Sequence, residues 1–248
     1  KTVFISLGYV HGEIGVVLPI RALALAAREK KASLSEVPLV IHTDASQAPL
    51  YFDVTPHTLS VDLLTLDALK AGGPKGAGVL FKKHTIRLRP IMLGGGQELD
   101  LRAGTENVGA AHASWHALRF AREGKKDRYA QVSQIREYAF AKIRADFPQS
   151  VVNGGLCDRS PANINVSIAG IDAEYAVVIL DGYGIASGTR SACMSPDGGG
   201  SDVVRAISGD DLRAQSSLRF TIGPDTTRKD IDRMIHALQR TVREASKV

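Results

Sequence analysis

Short apolar runs and polar or glycine-rich stops alternate through the first half of the chain. Thr2–Leu7 is mostly apolar and reads as a strand. Pro19–Lys31 reads as a helix, with proline in its first turn and Leu18, Ala22, Leu25 and Ala26 on one face. Leu39–His42 has the look of a short buried strand and leads into the polar segment His42–Gln47. Val61–Leu66 and Val79–Phe81 supply two more strands. Strands alternating with helices predict an α/β domain with a largely parallel sheet. Ligands in such sheets gather at the carboxyl ends of strands, and Asp44, Gln47 and Lys70 all fall just past a predicted strand end.

The link between the last two runs holds Lys70 followed by Gly72, Gly73, Pro74, Gly76 and Gly78. It reads as strand, tight glycine-rich turn, strand, with Lys70 at the end of the first strand. Glycines let backbone approach a ligand closely. A lysine held beside apolar surface has its ammonium destabilised, as a Schiff-base lysine requires. The same stretch also reads as a surface hairpin with Lys70 and Lys75 in water. Further on, Gly94–Gly96 make a loop, and Arg102-Ala103-Gly104-Thr105 run into a helix from about Glu106 to Arg122. A hydroxyl and N–H groups at a helix start suit an anion, although Thr105 serves equally as a plain N-cap.

Around Glu123–Arg128 the chain turns charged, which places a domain boundary there: residues 1–123 read as an α/β domain and 124–248 as a small α+β domain. The second part reads as a helix over Asp127–Asp146, with Tyr129, Val132, Ile135, Ala139 and Ile143 on one stripe. A strand over Asn163–Ile168 follows, then a helix Asp172–Leu180 capped by Asp172 and a short strand Gly184–Ala186. A polar loop, Ser187–Gly200, holds Cys193. Ser217–Ile222 is a strand, and Thr227 and Asp230 form a capping box opening a helix that runs to Ala245.

The totals change this picture little. The 248 residues are 44% hydrophobic and 23% charged, ordinary for a globular protein. The net charge of +5 is spread along the chain and predicts no nucleic-acid partner. No apolar run approaches the ~20 residues of a membrane span. Two cysteines give no disulfide framework, which suits the cytoplasm. Cys157 carries no motif.

Taken together and in order, these motifs resemble one family: the cysteine desulfurases of the class V aminotransferase group, fold type I enzymes dependent on pyridoxal 5'-phosphate. His42–Gln47 resembles the segment under the cofactor ring, and Leu66–Gly78 the Schiff-base lysine segment. Gly94–Val108 resembles the loop that reaches a neighbouring subunit's cofactor phosphate, Ser187–Cys193 the active-site cysteine loop, and Ser216–Gly223 the strand with a substrate-carboxylate arginine. The resemblance implies a homodimer and specific roles. Asp44 would keep the pyridine nitrogen protonated, Gln47 would meet the ring oxygen, and Lys70 would form the Schiff base. Thr105 would contact a phosphate across the dimer, and Arg219 would offer a fork to the substrate carboxylate. Cys193 would take the sulfur of L-cysteine as a persulfide, helped by nearby Arg190, and pass it to an acceptor such as an iron–sulfur scaffold protein, releasing alanine.

The sequence also departs from that pattern. Leu69 stands where the family has a histidine before the lysine, Asp67 where it has a phosphate-binding serine, and His11 and Gly12 where it has paired asparagines. The chain enters a strand almost at once after Lys1, so the resemblance implies that an N-terminal part is missing. Two other readings stay open: a selenocysteine lyase or related class V reaction, and a cofactor-poor scaffold subunit.

Overall fold

The computed structural model describes residues 2–34, 36–190 and 199–245. The chain divides into two compact units: Lys1–Tyr9 with Leu18–Lys125, and Val10–Val17 with Lys126–Val248. No helix among the described residues is long and apolar enough to cross a membrane.

The first unit is built on a four-stranded sheet in sequential order: β1 (Phe4–Gly8), β2 (Val40–Asp44), β3 (Leu63–Leu66) and β4 (Val79–Lys82). The first three strands are parallel and β4 returns antiparallel to β3. This matches the α/β expectation, with the β3–β4 pair being the hairpin read around the glycines. Helix α1 (Ile20–Ala32) crosses between β1 and β2, but its buried residues are Ile20 and Ala24, whereas Ala22, Leu25 and Ala26 face solvent. Its first two turns, residues 20–27, are apolar but for Arg21, so periodicity there does not by itself set the rotation. Arg28 sets it. One helical turn beyond Ala24, it donates to the Ser60 carbonyl at 2.5 Å and to Asp62 at 2.7 Å. A one-turn helix α2 (Pro56–Leu59) precedes Asp62.

Asp62 ties this unit together. Its carboxylate takes Arg28 from α1, Lys83 just past β4 at 2.7 Å and the Ile41 N–H of β2 at 2.9 Å. Burial works to raise its pKa, but the bonds from Lys83, Ile41 and Arg28 outweigh burial and hold it below the ordinary carboxylate range.

The second unit carries an antiparallel sheet of β5 (Val151–Val152), β6 (Asn163–Ser167) and β7 (Ser217–Thr221). Every residue of β6 is buried. Alternation then gives two unlike faces. Ile164 and Val166 belong to an apolar core that includes Val132, Phe140 and Ile143 of α5 (Lys125–Asp146), Ala176 and Leu180 of α6 (Ala173–Gly182), and Ile231 and Leu238 of α9 (Arg228–Ala245). Asn163, Asn165 and Ser167 form a polar face instead. Asn163 and Asn165 both donate to the Glu13 carbonyl, at 2.9 and 3.0 Å, and Asn153 donates to Asn165 and Ser167 at 2.8 Å. The strap Val10–Val17 thus supplies acceptors that a buried amide layer needs. The Ser201 hydroxyl donates to the Glu13 carboxylate beside it.

Two helix starts follow the sequence. Asp172 accepts from the Glu174 and Tyr175 N–H groups at 2.8 and 2.9 Å, and Thr227 and Asp230 exchange bonds as a capping box. The strand expected over Gly184–Ala186 is absent. The Tyr183, Gly184 and Ile185 N–H groups instead bond back to Leu180 and Asp181 and close α6. Only Gly188 pairs with a strand, bridging Arg219. Two short helices not expected from the sequence, α7 (Asp202–Ser208) and α8 (Asp211–Gln215), lead into β7.

Candidate functional site

Asp44 ends β2 and pairs in register with Thr65 of β3. Its Oδ1 accepts the Ser46 N–H at 2.9 Å, an Asx turn that bends the chain off the strand; its side chain has no cationic partner among the described residues. Gln47 lies three residues on and is half-buried. Just before Asp44, His42 is held from two sides: Nδ1 is 2.7 Å from Ser6 Oγ and Nε2 is 2.8 Å from Thr65 Oγ1. Burial lowers its pKa, while the nearby Asp44 charge opposes that shift. His42 therefore pins β1, β2 and β3 together immediately below the Asp44 edge, a packing role in keeping with a lone histidine.

Lys70 follows the C-terminal end of β3. The expectation placed it at the strand end beside apolar surface; it stands instead on a one-turn 3-10 helix, Ala68–Ala71, and is exposed. The reason is Asp67. Its Oδ1 accepts the Leu69 N–H at 2.9 Å and caps the turn, while Ala68 and Ala71 bury beneath it and helix α4 (Val108–Arg122) packs across it. The turn closes at Gly72, whose φ of 85° suits only glycine, and the Gly73 N–H returns to the Ala68 carbonyl at 2.8 Å. Among the described residues the Lys70 ammonium has no hydrogen-bond or ion-pair partner. Asp44 and Lys70 thus lie at the same carboxyl edge of neighbouring parallel strands. Leu69, in the histidine position of the resemblance, is exposed.

Thr105 does not start a helix. It is exposed, and α4 is capped two residues later by Asn107, whose Oδ1 accepts the Ala110 N–H at 3.0 Å. Between β4 and α4 a one-turn element, α3 (Gln97–Asp100), holds three consecutive non-glycine residues with positive φ, Glu98, Leu99 and Asp100.

In the second unit, Arg219 lies on edge strand β7, clamped at its backbone by Gly188. Its Nη1 donates to the Gly12 carbonyl at 3.2 Å. A side chain at Gly188 would crowd the guanidinium, since a Cβ there would sit 3.1 Å from Nη2. No carboxylate among the described residues pairs with Arg219, so the edge-strand salt bridge is not what holds it. Gly12, one of the two residues replacing asparagines in the resemblance, thus acts through its backbone. His11 accepts the Glu13 and Ile14 N–H groups at 3.3 and 3.4 Å and turns the strap. Cys193 lies outside the described residues. Arg190, expected to assist it, is ion-paired with Glu174. Cys157 is a free, exposed thiol.

The profile of the family Aminotransferase class-V matches residues 1–234. Over 246 residues the chain is 32% identical to the cysteine desulfurase IscS of Clostridium botulinum, covering 98% of this chain and 60% of that protein. It is 35% identical over 243 residues to the cysteine desulfurase IscS of Dechloromonas aromatica, covering 97% and 58%. Among solved structures, a NifS-like protein from Rickettsia africae superposes with a TM-score of 0.83 at 22% identity, over 96% of this chain and 61% of that one. The chain therefore spans about 60% of the length of the curated relatives it matches.

Proposed function

We infer, from the premise that this chain belongs to the aminotransferase class-V family, that it is the lysine- and cysteine-bearing part of a pyridoxal-phosphate-dependent cysteine desulfurase. Its fold is the mixed α/β type I fold of the NifS-like proteins. The observation that carries the reading is the Lys70 amine, without a partner among the described residues, on a capped turn at the strand edge that also ends in Asp44. The relatives named cysteine desulfurase IscS support the choice of reaction.

The residues fit the ring end of the cofactor: a free amine, a carboxylate with one oxygen uncommitted, and Gln47 beside it. At the phosphate end, Asp67 is committed to its cap, so its charge has a structural task rather than a place in an anion site. When bound, pyridoxal phosphate supplies an electron sink at the substrate α-carbon. Lys70 would hold it and move the α-proton. Asp44 would hold a proton on the ring nitrogen, and Arg219 would orient the substrate carboxylate. Cys193 would take the sulfur: its thiolate forms an S–S bond as the substrate C–S bond breaks, and alanine leaves once its carbon has taken up a proton. An acceptor protein of iron–sulfur assembly or thio-modification would then receive the persulfide sulfur.

The reading extends to a cytoplasmic homodimer of two-domain subunits, divided near residues 123–126 as the sequence suggests, with the strap Val10–Val17 counted in the second compact unit. Ile91, Leu93 and Leu99 are 82–96% exposed just before Thr105, an apolar surface suited to a second subunit. A strictly monomeric mass at micromolar concentration would overturn the dimer. The reaction is tested with Cys193→Ser: the variant is expected to bind the cofactor but release no sulfur from L-cysteine. Sulfur release surviving in it would favour a lyase that expels the chalcogen without a covalent carrier. Leu69 and Asp67 favour a second reading, a binding subunit that takes no cofactor; it requires that the chain keep no yellow colour once unbound pyridoxal phosphate is removed by gel filtration.

A further inference from the structure

Helix α4 carries two histidines one turn apart, His112 and His116, and their Nε2 atoms lie 3.0 Å from each other. Both line a cavity of about 600 Å³ in the first unit, floored by Ala71, Gly72, Gly73 and Pro74 of the turn that follows Lys70. The other lining residues are Ala113, Ala117 and Phe120, so among the described residues the two imidazoles are its only ionisable side chains. The sequence reading gave these histidines no role, and none of the desulfurase chemistry uses them.

We propose that His112 and His116 form a two-imidazole site for a divalent transition-metal ion, with copper(II) the preferred metal. Histidines at i and i+4 project from one helix face and can share one ion. Two imidazole nitrogens at about 2.0–2.1 Å from a metal lie about 2.9 Å apart when they subtend a right angle, and about 3.4 Å apart at the tetrahedral angle. The observed 3.0 Å is the length of a hydrogen bond between the two rings, and it brings the nitrogens close enough for one ion to bridge them with little movement of either ring. Copper(II) heads the general affinity order for nitrogen sites.

The imidazoles are held in place before any metal arrives. Trp115 packs edge-on against His116 at 4.7 Å between ring centroids and stacks beside His112 at 6.1 Å. Arg119 lies over the other part of that aromatic group, 5.4 Å from the Trp115 centroid, with its charge paired to Glu123. In the metal-free form one Nε2–H donates to the other Nε2. On binding, that tautomer moves its proton to Nδ1 through solvent, and both Nε2 lone pairs face the ion. Among the described residues no group of three or more His, Cys, Asp or Glu is gathered for a metal. The remaining positions therefore fall to water or to a small ligand in the cavity.

Trp115 is the chain's only tryptophan, which makes the test direct. The purified protein, freed of metal by a chelator, is titrated with copper(II) sulfate while tryptophan fluorescence is followed. Saturable quenching at one equivalent is expected. His112→Ala and His116→Ala should each weaken it by at least about tenfold, the loss typical of a metal site deprived of even an outer-shell partner. Far-UV circular dichroism checks that these surface variants keep the fold, and His57→Ala, an exposed histidine elsewhere in the same unit, should leave the curve unchanged. Electron paramagnetic resonance of the copper-loaded protein should show two equatorial nitrogens. Quenching that persists in the double variant, or that never saturates in the unmutated chain, would overturn the proposal.

Discussion

Replacing Asp62 tests whether one buried carboxylate holds the sheet on which Asp44 and Lys70 are mounted. Asp62 is 7% exposed and joins α1, β2 and the end of β4. In Asp62→Ala the Ile41 N–H loses its acceptor, and Ile41 is 1% exposed. A buried donor left unpaired costs about 1–3 kcal/mol. The Arg28 and Lys83 side chains are 32% and 47% exposed, so each pair is discounted for solvent to about 0.2–1 kcal/mol. The sum is a loss of about 1.5–5 kcal/mol, with about 3 as the central value. Asp62→Asn keeps an acceptor for Ile41 but gives up the charge and turns the oxygen that accepts from Lys83 into a donor, so about 1 kcal/mol is expected. Denaturant unfolding followed by Trp115, which lies in the same unit, measures both. A loss below about 0.5 kcal/mol for the alanine variant, or equal losses for the two variants, would refute the argument that the Ile41 N–H carries most of the cost.

Three further outcomes are expected. Gly15→Ala places a Cβ 2.6 Å from Asn163 Oδ1 at a φ of 74°, and should cost the second unit at least about 2 kcal/mol; Gly170→Ala has a φ of 81° but meets nothing within 4 Å, so about 1 kcal/mol is expected. His42 has a pKa lowered by burial, so the unfolded chain binds its proton first as pH falls through 6.5. The first unit should then lose stability on acidification, by at most about 1.4 kcal/mol per pH unit until the folded-state pKa is passed, and His42→Gln should flatten that slope. Asp67→Ser should keep the cap and hold the melting temperature, while Asp67→Ala should lose about 1 kcal/mol and bind pyridoxal phosphate more weakly than the serine variant.

Where a pattern had one physical solution, the sequence displayed it. The strands β1, β2, β3 and β4 come from apolar runs with polar stops, and Asp172 and the Thr227–Asp230 pair cap helices through their own side chains. The rotation of α1 was hidden because Ala22, Leu23, Leu25 and Ala26 spread apolar side chains round its first two turns; the deciding contact, Arg28 to Asp62, joins residues 34 apart. Thr105 looked like a cap because only local spacing was visible, whereas Asn107 holds the helix start. Asp67 looked like a misplaced charge, yet an aspartate two residues before a free N–H is a turn cap, a signal that was there to be read. The strap Val10–Val17 had no local signal at all. Its partners, Asn163 and Asn165, lie 150 and 152 residues further along, and only folding shows that one carbonyl serves both.

We propose that Lys70 is the amine that holds the cofactor, and a visible absorption spectrum tests this most directly. The unmutated chain mixed with pyridoxal phosphate is expected to turn yellow and keep its colour through gel filtration, while Lys70→Ala treated identically should emerge colourless. Lys75→Ala, whose lysine stands five residues on in the same glycine-rich link, should stay yellow. A colourless unmutated chain, or a Lys70→Ala variant that retains the colour, would contradict the account.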